Sequence, residues 1–292
     1  MKKTILKNAL LPAFLLALAG CGGDSSNPQG TLSLNVTDAP VDNATRVVVE
    51  FTGVSIKAAG GAAADFEFET PRQIDLLALQ GGATALLLDD VVLDAGNYEW
   101  IRLTVNAGRH ASDSFIELED GSVHALYIPS GNETGLKLVR GFVVPANGSA
   151  DFTIDFDLRK SVVDPASAND AYILKPALRL VDNAEVGAIA GTVDAGIANA
   201  ANCSPAVYVY EGSDVTANDV GSPTEPVASA LVNMSDSTGE FEYRVAFLAA
   251  GDYTVALTCD ADEDAADTDD DIVFEDGRNA TVDIDRTTTI DF

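Results

Sequence analysis

Phe152-Thr153-Ile154-Asp155-Phe156-Asp157-Leu158 decides the architecture of this chain. Apolar side chains fall on every second position, and Thr153, Asp155 and Asp157 fill the gaps. Successive residues of a β-strand point to opposite faces, so this spacing gives one face to a core and the other to water. The same period recurs upstream, where Leu32, Leu34 and Val36 alternate with Ser33 and Asn35. Asp38-Ala39-Pro40 then marks a turn, and Arg46 to Lys57 is a long run rich in β-branched residues. Asp75 to Gln80 reads as one short turn or helix; helical periodicity is otherwise scarce.

Downstream, a second unit starts near Glu185. Its strands are expected at Gly187 to Val193, Ala206 to Tyr210, Ala228 to Asn233 and Glu240 to Ala246. Asp252 to Cys259, Asn279 to Asp285 and Thr287 to Phe292 follow. Phe241, Tyr243 and Val245 share one face, Glu242 and Arg244 the other. Short strands between Gly, Pro, Asn and Asp clusters predict an all-β protein. The expected fold is two consecutive antiparallel β-sandwich domains, immunoglobulin-like or transthyretin-like, over residues 31–184 and 185–292.

The N-terminus carries an address. Lys2, Lys3 and Lys7 precede the apolar run Ala9 to Ala17, which ends in Leu18-Ala19-Gly20-Cys21. That layout is a secretory signal, too short to serve comfortably as a membrane span. The small residues before Cys21 resemble a bacterial lipobox, which implies removal of residues 1–20 and a lipid on Cys21. An ordinary signal peptide that contains a cysteine is the alternative. Residues 21–30 are rich in Gly, Ser and Asn and read as a flexible tether. Gly22 rather than an aspartate after Cys21 favours sorting to the outer membrane, so the expected location is the bacterial cell envelope, with the membrane as a partner through the lipid anchor.

The formal charge is −29, and the signal holds three of the lysines and no acid. Such a chain repels phosphate backbones, which excludes nucleic acid as a partner. Hydrophobic residues make up 47% of the sequence, so the acidity does not mark a disordered tail. Beyond Cys21 only Cys203 and Cys259 remain, an even pair that predicts one disulfide in an exported protein. Cys259 shares its strand face with Tyr253, Val255 and Leu257, which predicts a core-facing bridge. The two cysteines form no Cys-x-x-Cys pair, which argues against redox catalysis.

Three groups of residues could carry chemistry. The acidic loop Asp260 to Asp271 offers Asp260, Asp262, Asp264, Asp267, Asp269 and Asp271 as candidate ligands for calcium, which takes six to eight oxygens. It departs from an EF-hand, because Ala265 replaces the glycine of the turn, Asp271 stands where a glutamate would close the loop, and the flanks read as strands, the downstream one opening at Ile272-Val273-Phe274. A solvated acidic loop is the alternative. Tyr98, Trp100 and Arg102 are expected to line the outward face of a strand whose Ile101, Leu103 and Val105 face the core. They form a candidate glycan or protein contact, unless Arg102 merely lies over Trp100. Asp155, Asp157 and Arg159 alternate along one face, expected to be a solvated charged surface, with an acid–base pair as the alternative. His110 and His124 fall in no metal-ligand spacing, and no nucleophile elbow, phosphate loop or zinc-protease motif occurs. No catalytic residue is assigned.

Several ordered segments resemble a bacterial lipoprotein family known as domain of unknown function 4382. They are Val36-Thr37-Asp38-Ala39-Pro40-Val41, Ile74-Asp75-Leu76-Leu77, Ala95-Gly96-Asn97-Tyr98, Gly135-Leu136-Lys137-Leu138, Ile154 to Val162 and Leu174-Lys175-Pro176. The likeness covers residues 29–182 and implies an exported, β-rich domain, with no substrate or catalytic residue to carry over. Gly187 to Val193, Thr238-Gly239-Glu240-Phe241 and Ala250 to Val255 resemble the carboxypeptidase-regulatory, transthyretin-like sandwiches. The function expected from all this is a non-enzymatic, lipid-anchored binding or adhesion module for a glycan, matrix or protein ligand, with calcium as a candidate stabiliser. A structural accessory subunit of an envelope complex, and a carboxylate-dependent polysaccharide hydrolase, are the alternatives.

Overall fold

The computed structural model describes residues 27–39, 44–109, 113–128, 135–163, 171–175, 177–266 and 268–292. The signal segment, Cys21, His110 and Asp267 lie outside them. The first strands are β1 (Gln29–Ala39), β2 (Ala44–Ala58), β3 (Ala63–Asp75), β4 (Ala85–Asp94) and β5 (Gly96–Asn106). Short strands follow: β6 (Phe115–Leu118), β7 (Val123–Tyr127), β8 (Leu136–Leu138) and β9 (Phe142–Val144). Then come β10 (Ser149–Asp157), a helical turn α1 (Leu158–Ser161), β11 (Val162–Val163), β12 (Tyr172–Leu174) and β13 (Leu178–Asp182). A 3-10 segment, Leu76–Gly82, joins β3 to β4 where the sequence predicts a short turn or helix.

These strands build two sheets, one in the order β13-β10-β1-β4 and one in the order β11-β12-β7-β6-β2-β5-β8, with β3 also on β2 and β9 on β5. Leu32, Leu34, Val36, Ile154 and Phe156 are fully buried between the sheets, as the alternation requires. Phe51 meets Phe156 edge-on at 6.3 Å, and Phe142 bridges Phe152 and Tyr98, each at 5.2 Å. The pairing is not antiparallel throughout. β1 runs parallel to β10, from Thr31 opposite Ser149 to Ala39 opposite Asp157, and β7 runs parallel to β12.

From residue 186 onward the chain forms β14 (Val186–Val193), a helical turn α2 (Ala195–Ala198), β15 (Ala206–Glu211), β16 (Ala228–Leu231) and β17 (Asn233–Met234). β18 (Phe241–Ala249), β19 (Gly251–Thr258), β20 (Arg278–Val282) and β21 (Thr287–Thr289) complete it. Two four-stranded sheets, β17-β18-β14-β21 and β16-β15-β19-β20, face each other across Ile189, Val207, Val209, Tyr243, Val245, Val255 and Leu257. Every residue from Ala206 to Tyr210 is buried, because the loops 212–227 and 260–276 cover the second face of β15. Ile272-Val273-Phe274, expected to open a strand, makes a single bridge from Phe274 to Thr258. Cys203 and Cys259 are bonded, with Cα atoms 4.4 Å apart. Cys259 lies one residue past β19, so the bridge is half-buried at the end of the sheet rather than in the core.

Candidate functional site

Each sequence-derived candidate meets a different fate. Tyr98 is not on an outward face: it is buried, stacks on Phe142 and donates from its hydroxyl to the Asp94 carbonyl at 2.7 Å. The cause is an irregularity between β2 and β5, where Lys57 pairs with Trp100 but Ala58 pairs with Tyr98. One extra residue in β5 turns Tyr98 inward. Trp100 stays outside, yet Arg102 covers its ring at 4.9 Å and Lys137 at 4.5 Å. The aromatic face is therefore screened by the protein's own cations. His124 packs against the Tyr172 ring and contacts the Ser122 hydroxyl, a local structural role.

Asp155, Asp157 and Arg159 do not form a solvated face. Asp157 accepts from the backbone N–H of Lys160 and thereby caps α1, which ends the strand before Arg159. The backbone turns, and Arg159 swings into the covering loops of β15. It is buried and donates from Nη1 to Asp264 Oδ2 at 3.1 Å and from Nη2 to the Ala261 carbonyl at 3.2 Å. It also donates to the Tyr208 hydroxyl, which in turn donates to Asp264. Burial raises the Tyr208 hydroxyl far above its ordinary value, so it remains a donor. Burial also raises the Asp264 carboxyl, against the opposing pull of Tyr208, Arg159 and the Val220 N–H. Lys160 pairs with Glu225 at the edge of the same contact.

The metal candidates divide. Among the described residues the alternate-position set does not converge. Asp262, Asp269 and Asp271 are exposed, and Asp260 accepts from the Val273 N–H at 3.2 Å. The chain after Asp260 coils into a 3-10 turn, Ala261–Glu263, which destroys the alternation. Asp264 instead meets Asp219 and Asp270, with one carboxylate oxygen from each lying within 4.8 Å of the others. Asp219 comes from the other covering loop, and no sequence spacing links it to Asp264.

Two concavities flank the contact between the halves. The larger, about 670 Å³, has Asp38, Asp155 and Arg179 on one wall and Glu242, Arg244 and Asp291 on the other. Thr37 donates to the carbonyls of Leu79 and Ala83, fixing the 3-10 segment that forms the lip. Gly82 there has φ +93°, and a β-carbon would sit 2.9 Å from that of Ala246. The smaller, about 290 Å³, is lined by Asp155, Asp157, Arg179 and Lys160. Asp155 accepts from Arg179 Nη2 at 2.6 Å and from its Nε at 3.2 Å, and burial nonetheless raises its carboxyl.

The family model for a domain of unknown function, DUF4382, matches residues 29–176. The chain belongs to the DUF4382 family. The matched segment holds β1 through β12 together with α1, so Arg159 is the DUF4382 residue that enters the covering loops of β15. No curated protein sequence matches the chain. Among solved structures it is similar to a leucine-rich repeat protein of Bacteroides thetaiotaomicron at 13% identity, covering 91% of this chain and 26% of that one, with a TM-score of 0.20. A minor pilin of Streptococcus agalactiae is similar at 9% identity, 89% and 94% coverage and a TM-score of 0.21. The tip fimbrial protein of Porphyromonas gingivalis is similar at 10% identity, 79% and 78% coverage and a TM-score of 0.23. These scores are too low to define a shared fold. Among the described residues, no helix is long and apolar enough to cross a membrane.

Proposed function

We propose that this DUF4382 protein is a non-catalytic binding module of the bacterial cell envelope, held at the outer membrane through a lipid on Cys21, with a glycan as the ligand of the larger cleft. The observation that carries the reading is the cleft itself. Its walls come from both sandwiches and bring the carboxylates of Asp38, Asp155, Glu242 and Asp291 together with the guanidinium groups of Arg179 and Arg244, a lining suited to a hydroxyl-rich ligand. Arg244 is exposed there and donates to the Thr287 hydroxyl at 3.2 Å, leaving the rest of its fork available to the cleft. The carboxylates of the smaller hollow speak against hydrolysis. Asp155 Oδ2 accepts from both Nε and Nη2, one edge of the Arg179 guanidinium, and Asp157 is committed to capping α1. A glycosidase needs one carboxyl free to donate and one free to attack.

The test is titration of the purified full chain with a panel of envelope and matrix glycans, by calorimetry, with turnover assayed in parallel. Saturable binding that Arg244→Ala and Glu242→Gln each weaken about tenfold, without sugar release, is the expected result. Sugar release abolished by Asp155→Asn would replace this reading with the hydrolase. Binding of no glycan would return the cleft to a protein partner.

A further inference from the structure

We infer that Asp219, Asp264 and Asp270 form a binding site for a divalent cation of the calcium type, built where the two covering loops of β15 meet Arg159. Acidic residues crowd together on many surfaces, but this group is not on the surface. Asp219 and Asp264 are buried, and Asp270 is half-buried. The Asp219 side chain is wholly inaccessible, and its Oδ1 accepts no hydrogen bond among the described residues. A buried carboxylate oxygen without a donor is costly and calls for a partner. Its second oxygen is engaged, accepting from the Asp270 N–H at 2.7 Å. That bond fixes the direction of the carboxylate.

The spacing fits one ion. Oxygens 2.3–2.6 Å from a shared calcium lie at most about 5 Å apart. The three carboxylates each bring an oxygen within 4.8 Å of the others. The charge also fits. Arg159 pairs with Asp264, but among the described residues no lysine or arginine pairs with Asp219 or Asp270. Among the described residues, two carboxylates of one site thus lack the counter-charge that a divalent ion would supply. The donor set is oxygen only, which favours a hard cation over zinc or copper. Finally, the loops are held in register without the ion's help. Val220 donates its N–H to Asp264 Oδ1 at 3.2 Å, and Gly221, at φ +100°, passes so close that a β-carbon would lie 2.4 Å from the Thr268 carbonyl oxygen. The site is preorganised, and it does not depend on which ligand occupies the cleft.

The test uses the full chain, titrated first with terbium and then with calcium or magnesium. Because the Tyr208 hydroxyl bonds Asp264, bound terbium should emit when tyrosine is excited. Calcium should displace it with a dissociation constant of about 0.1–1 mM, and magnesium at equal ionic strength should not. Asp270→Asn, which keeps an oxygen to accept from the Ala265 N–H and the Thr268 hydroxyl, should weaken calcium at least about tenfold, as should Asp219→Asn if it folds. Asp269→Asn, on the exposed stretch beside them, should leave calcium binding unchanged. Folding of each variant is read by circular dichroism. Calcium binding that survives Asp270→Asn overturns the site. So does the absence of saturable displacement in the millimolar range, and so does an equal loss in Asp269→Asn, which would mean diffuse attraction to an acidic loop.

Discussion

Arg159 carries its charge from one sandwich into the interior of the other, and a charge in that position commits its partners. With the guanidinium removed, the buried Asp264 loses its counter-charge and the Tyr208 hydroxyl loses a donor. Breaking one side of a buried pair costs about 3–5 kcal/mol. Arg159→Ala should lower unfolding stability by that amount in urea, whereas Lys160→Ala, which removes a half-exposed pair with Glu225, should cost no more than about 1 kcal/mol. Asp155 makes a pH prediction. Its carboxyl is raised by burial, with Arg179 pulling the other way and the nearby Asp157 also raised by burial. The native state therefore keeps a proton that the unfolded chain releases near pH 4. The resulting stabilisation is complete below that pH and is lost as pH rises through the native value. Asp155→Asn should flatten the fall of melting temperature with pH across this window. None of this was legible from Arg159 itself, since the two-residue period continues through it. The available signal was Asp157 three residues before Lys160, an N-cap spacing that overrides alternation.

At the scale of elements, the sequence is most transparent where a strand has one wet face and one dry face. β10, β1 and β2 lie where the alternation puts them, and the short segment after Asp75 is the expected turn. Transparency fails where burial is two-sided or the pairing is irregular. β15 is dry on both faces because the loop that follows it, 212–227, and the distant loop 260–276 cover it, and β5 carries an irregularity that turns Tyr98 inward while its pattern of apolar residues looks unbroken. Parallel pairing leaves no periodic mark at all, so β1 beside β10 could not be anticipated from spacing. The proposed cation site is half legible: the acidic loop stands out in the sequence, but its partner Asp219 sits on a loop whose sequence carries no matching motif. Two element-scale predictions follow from geometry. Reducing the Cys203–Cys259 bridge, which spans 56 residues, should destabilise the second sandwich by about 4 kcal/mol in denaturant titrations. Gly82→Ala forces a β-carbon against Ala246 at a positive φ, and should lower stability by about 1–3 kcal/mol.

For the molecule as a whole, the two sandwiches have separate cores but share the Arg159 contact, the Lys160–Glu225 pair and the walls of the larger cleft. Shared buried groups couple unfolding, so calorimetry should record one dominant transition in the native protein. Arg159→Ala should separate it into two, with the cysteine-bridged half distinguished by its sensitivity to reductant. The parallel pair at the centre of the first sandwich has a different consequence, one of timing. β1 is enclosed by β4 on one side and β10 on the other, and its three fully buried residues, Leu32, Leu34 and Val36, need both neighbours. β1 leaves the ribosome before β2 to β9, and the segment that must lie beside it, from Ser149 to Asp157, emerges only after all of them. Its hydrogen-bonding edge stays open throughout that interval, so closure of this sheet should be a late, slow step in maturation.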